Sequence, residues 1–223
     1  MGFPRGPRPR RRCRRPLQEC PEANLGSAFH FVVAVPPLTL PPPPPHSQVR
    51  HNYHPECETA VDVHVQLQLS ASHLTRAMAL HFDRNYVALK GFARYFLKRS
   101  LIERERAEKM ARMQNQRGGR IKLCQVLAPQ PSHWDSGLHA MESAFQLAKR
   151  INQSFLDLHQ LATVRDDPEL RHFLETHYLH QQVQHLKELG DYLTNLRRMG
   201  SQDSRMAEYL FDKFSLCEGE EDA

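Results

Sequence analysis

Apolar residues recur at helical spacing in four long stretches of the chain. From about Glu56 to Phe82, positions Val61, Val65, Leu69, Leu74, Met78 and Phe82 fall on one face of a helix. A second stretch, Tyr86 to Arg120, carries Val87, Phe92, Tyr95, Phe96 and Ile102 on its apolar side and ends at Gly118-Gly119, a left-handed stop. A crossover containing Pro129 and Pro131 follows, long enough to run the length of a helical bundle. The third stretch starts near Asp135 as N-cap, carries Leu138, Met141, Phe145, Leu147, Ile151, Phe155 and Leu158, and ends near Thr163. Asp167 as N-cap and Pro168 at the first helical position open the fourth, which runs to Met199 and stops at Gly200. A short last helix spans about Ser204 to Lys213. Helix, short loop, helix, long crossover, helix, short loop, helix predicts an all-α fold: an up-down four-helix bundle with one long crossover and a short fifth helix.

Composition divides the chain into two parts. Residues 1–46 hold twelve of the sixteen prolines, with a run from Pro41 to Pro45, and this density forbids regular helix or sheet. They are expected to be a disordered Arg/Pro-rich extension, and residues 47–223 the folded domain. The extension carries seven arginines (Arg5, Arg8, Arg10, Arg11, Arg12, Arg14, Arg15) and two glutamates, which accounts for the whole formal charge of +5. The remainder balances to zero. Three readings of residues 5–15 stay open: a nuclear-import or nucleic-acid patch, an organelle-targeting presequence, or an inert solvated tail. The prolines disfavour the amphipathic helix of a mitochondrial presequence. No apolar run approaches the ~20 residues of a membrane helix, so a soluble chain is expected, cytoplasmic by default with the nucleus as alternative. The five cysteines, Cys13, Cys20, Cys57, Cys124 and Cys217, are widely spaced with no CxxC pair. This argues against a disulfide framework or a structural zinc site and for reduced thiols, with Cys57, Cys124 and Cys217 expected at the surface.

The chemistry concentrates in Glu103-Arg104-Glu105-Arg106. Residues three apart share a helix face, so Glu103 and Arg106 point the same way. A Glu and a His at that spacing would be half of a buried di-iron site. With Arg106 in the His position, the pair reads instead as a salt bridge inside the bundle, since a guanidinium is always charged and is no ligand. His177 and His180 have HxxH spacing, while His64, His73 and His81 form no ligand set with acids. All five read as packed or solvated.

Segments spread through residues 47–223 carry a family resemblance: SQVRHNYH (47–54), FDRNYVALKGFARYFL (82–97), QNQRGGRI (114–121), WDSGLHAMESA (134–144), NQSFLDLHQLAT (152–163), DPELRHFLETHYL (167–179), KELGDYLTNLRRMG (187–200) and AEYLFDK (207–213). Together they resemble an animal ferritin subunit, closer to a heavy-type than a light-type chain. The resemblance implies a 24-subunit cage storing ferric iron in a soluble, non-toxic form, with iron and other ferritin chains as partners. In a heavy-type chain it also implies Fe(II) oxidation at a di-iron centre built from several carboxylates and an imidazole.

Carried over position by position, the resemblance leaves the centre short of ligands. The first-helix glutamate falls on Gln68, the second is kept as Glu103, its histidine partner becomes Arg106, and the third-helix glutamate falls on Ala148. The fourth-helix glutamine is kept as Gln182, preceded by Gln181 in place of an acid, and a nearby tyrosine falls on Thr75. Remnant metal positions are therefore Glu103, Gln182 and Gln68, and no catalytic residue is assigned. The acidic mineral-nucleating patch of light-type chains falls on Lys98-Arg99-Ser100-Leu101-Ile102-Glu103, which is basic and apolar apart from Glu103. The acids lining the family's three-fold channel fall on His172 and Glu175, beside Arg171. The expectation is an iron-storage subunit without a working ferroxidase centre that co-assembles with active chains. The alternatives are a ferritin-fold protein acting in the nucleus through its basic tail, and an enzyme with a rearranged centre using Glu103, Glu105, Glu108 and Gln182.

Overall fold

The computed structural model describes residues 47–123, 133–200 and 204–216. Residues 1–46, with the arginine cluster and the disorder expected of it, lie outside the described residues. So do part of the crossover, Cys13, Cys20, Cys124 and Cys217. The described part is an all-helical bundle with no strand.

The helices are α1 (Pro55–Phe82), α2 (Lys90–Gln116), α3 (Gly137–Val164), α4 (Pro168–Leu174), α5 (His180–Met199) and α6 (Ser204–Phe214). Pro55 opens α1, and His54 caps it by accepting from the Glu56 N–H. The second helix starts four residues later than the apolar pattern suggests. Ala88 sits at φ 53°, off the helical path, and Leu89 N–H folds back to Phe82 O. Val87 therefore packs from the connecting loop and not from α2. The stop at the other end is carried by Gly118 alone, at φ 74°, where a Cβ would lie 2.8 Å from Ser47 Oγ.

The third helix is capped by Ser136, whose Oγ accepts from His139 N–H at 3.1 Å. Asp135, expected as the cap, turns toward His133 and His139 instead. Asp167 caps α4 as expected, accepting from Leu170 N–H at 3.0 Å, with Pro168 in the first turn. The fourth stretch is not one uniform helix. Between α4 and α5, Glu175–Leu179 form a turn of wider, π-type winding, which inserts extra backbone per turn.

Faces set by the apolar spacing meet in one core. Phe82 and Phe96 stack with ring centroids 5.7 Å apart, and Phe92 lies 5.1 Å from Phe82. Phe211 of α6 reaches the same cluster, 5.7 Å from Phe92 and 5.5 Å from Tyr192. Burying side chains of this size contributes about 1.5–3 kcal/mol each. Asp212 fastens α6 further by accepting from Phe92 N–H at 2.9 Å.

Candidate functional site

Midway along the bundle the apolar core is interrupted by polar side chains from three helices. Tyr95, Arg99 and Glu103 occupy successive i, i+4 positions of α2 and so share a face. Arg106 follows one turn later. Gln68 and Thr75 come from α1, Gln182 and His185 from α5, and Ala148 of α3 completes the wall.

Glu103 is only 1% exposed. Its Oε1 accepts from Arg99 Nη2 and lies 3.6 Å from Arg106 Nη1. The salt bridge expected between Glu103 and Arg106 is thus present as the longer of two, and Arg99 is the nearer partner. Arg106 continues across the bundle: Nη1 donates to Gln182 Oε1 at 3.2 Å and Nη2 to Gln181 Oε1 at 3.1 Å. Gln182 in turn donates from Nε2 to Ala148 O at 2.9 Å, and Tyr178 OH donates to Arg106 O at 3.0 Å. Arg106 therefore links Glu103 on its own helix to α5, while Gln182 ties α5 to α3.

The electrostatics follow from burial. Desolvation lowers the Arg106 pKa, partly offset by Glu103. His185 is pushed down to about 2, first by burial and then by Arg99 and Arg106. His64, which shares a hydrogen bond of 2.8 Å with Ser154, is pushed down to about 3 by burial and Arg106. Both rings are neutral at physiological pH. Burial also raises Tyr95 well above the ordinary phenol range. Several buried polar atoms have no protein partner: both side-chain heteroatoms of Gln68, Glu103 Oε2, Arg99 Nε, Arg106 Nε, Tyr95 OH and both ring nitrogens of His185. A cavity of about 10 Å³ opens beside them, lined by Thr75, Tyr95, Arg99, Glu103, Ala148 and His185, among others.

The site residues read from the sequence separate into two places. Glu103, Arg106, Gln182 and Ala148 come together at the centre, with Gln68 fully buried on α1. His172 and Glu175 lie on the surface, and Glu175 shares a hydrogen bond of 2.7 Å with His159. Glu105 and Glu108 face solvent, and Glu108 pairs with Arg104. Two expectations need correction. Arg99, grouped by sequence with Lys98 in a basic and apolar patch at the family's nucleation position, turns into the bundle core because it lies one turn before the buried Glu103. Cys57 is fully buried, not a surface thiol: its helix position faces the core, and burial raises its pKa. Among the described residues, no group of three or more His, Cys, Asp or Glu side chains is arranged to hold a metal ion. No helix among them is long and apolar enough to cross a membrane.

Sequence reasoning missed Tyr95, Arg99 and His185 as members of the centre. A signal for each was available in the spacing. Tyr95 and Arg99 precede Glu103 by two turns and one turn, and His185 follows Gln182 by three residues on the same face. Residues 59–199 match the family model described as Ferritin, ferritin-like domain.

Proposed function

The chain belongs to the ferritin-like family, and from that membership we propose that it is an iron-storage subunit, heavy-type in its residues, that takes its place in a 24-subunit cage beside chains that oxidise Fe(II). The family supports an iron-related role. The cage, the mixed assembly and the lost oxidation step are the proposal. Residues 47–223 form the cage-building unit in this reading, and iron is its cargo.

One observation carries the reading: the Arg106 guanidinium stands between Glu103, Gln181 and Gln182. A pair of iron ions needs several anionic oxygen donors and an imidazole. The donor set does not fit that requirement. Glu103 is the lone carboxylate, and it is already flanked by two guanidiniums. Gln68 offers a neutral carbonyl oxygen, and Ala148 offers only a backbone oxygen, which Gln182 occupies. The bundle-forming residues persist where the ligands do not, as expected of a chain selected for packing and relieved of chemistry.

Co-expression with an active heavy-type chain followed by native mass measurement tests the assembly; mixed cages are expected, and a stable monomer or dimer that never enters them would defeat the proposal. Fe(II)-dependent oxygen uptake by the pure protein tests the chemistry, with a background rate expected.

A further inference from the structure

We propose that the cavity beside Glu103 is a binding site for one small monovalent anion of halide type, chloride being the abundant one. The proposal concerns the inside of the subunit and stands whether or not the cage reading holds.

The charge balance leads to it. Arg99 and Arg106 place two guanidiniums around one carboxylate, each of the three side chains at least nine-tenths buried. The group therefore carries an excess positive charge where water screens it poorly, and an uncompensated buried charge is strongly unfavourable. The hydrogen-bonding inventory points the same way. Arg99 Nε, Tyr95 OH and a ring N–H of His185 can only gain by meeting an acceptor, none has a protein partner, and all three side chains line the cavity. Thr75 contributes no competing donor, since its hydroxyl donates to the backbone of α1.

Size narrows the class. The cavity of about 10 Å³ has room for one water-sized particle. A chloride or bromide ion is of that order, while a phosphate or sulfate with four oxygens is too large. Glu103 Oε2 is the acceptor in the same surroundings, which makes a bound water the competing occupant.

Crystals grown from sodium bromide, with data collected above the bromine absorption edge, separate these occupants. An anomalous peak between Arg99, Tyr95 and His185 is expected; density there without anomalous signal at saturating bromide means water only and overturns the proposal. In solution, the unfolding temperature of the full chain should rise with chloride at constant ionic strength, gluconate being the replacement anion. Tyr95→Phe keeps the ring and removes one donor. It should raise the chloride concentration needed for a given rise in unfolding temperature about tenfold, the size of one hydrogen bond to a charged partner. Equal chloride dependence in wild type and Tyr95→Phe, or none in either, would overturn it. Glu103→Gln increases the charge excess and should tighten binding; a weaker chloride response in a folded Glu103→Gln protein counts against the site.

Discussion

Glu103 holds two arginines in a place where neither could be left unpaired. Replacing it with Ala should destabilise the fold by about 3–5 kcal/mol, the usual result of stranding buried charge, and urea unfolding of the variant measures this. Arg106→His restores one imidazole but no carboxylate. Oxygen uptake with Fe(II) should stay at background in that variant, because Gln68 and Ala148 still supply no anionic ligand. Two neighbours make the residue scale pH-sensitive. His185 and His64 are held neutral down to about 2 and about 3, whereas an unfolded chain protonates its histidines near 6.5. Between those values the unfolded state binds more protons, so stability rises with pH there. Their contribution is fully present above about pH 6.5 and is lost on acidification. The urea midpoint should be lower at about pH 5 than at about pH 7.5; an unchanged midpoint would mean that these rings are not buried neutral. Glu103 and Arg106 were legible in the sequence because their spacing alone places them on one face. Arg99 obeys the same rule, four residues before Glu103 where Lys98 is five, but its place beside Lys98 in a basic stretch hid it.

Helix ends, more than helix interiors, decide how the elements meet. Asp167 caps α4 and also accepts hydrogen bonds from Arg117 Nη1 and Nη2, at 3.0 and 3.1 Å, while itself buried. Asp167→Ala should cost at least ~2 kcal/mol, the cap and the ion pair being lost together, as read from the denaturation midpoint. At Gly118, Ala would meet both a positive φ and Ser47 Oγ, so a loss of ~1–2 kcal/mol is expected from the same measurement. Caps of this kind were readable: Asp167-Pro168 and the double glycine announce themselves by residue type. The cap of α3 was misassigned by one residue because Asp135 and Ser136 are both good caps, and the backbone at Ser136 chooses between them. The π-type turn at Glu175–Leu179 left no mark in the apolar spacing. It nevertheless sets the phase of α5. Shortening it by one residue, as in a Thr176 deletion, would rotate everything beyond by about 100° and turn Gln182 and His185 away from the centre. Loss of the Arg106–Gln182 contact in a crystal structure of that variant is the expected outcome.

At the scale of the molecule, the bundle was legible almost throughout the described part of residues 47–200, because four amphipathic stretches with short, long and short connections leave few other ways to bury their apolar faces. The centre was legible only as a list of missing ligands; what replaced them needed the packed side chains. A bundle whose middle is lined with several carboxylates carries repulsion that a bound cation relieves. This chain supplies its own cations covalently, as Arg99 and Arg106. Its folding should therefore be indifferent to iron supply, and its unfolding temperature should be the same in chelator and in Fe(II). A subunit of this kind can be made and stay folded in a cell starved of iron, so in the mixed cage proposed above it would stand ready before the metal arrives.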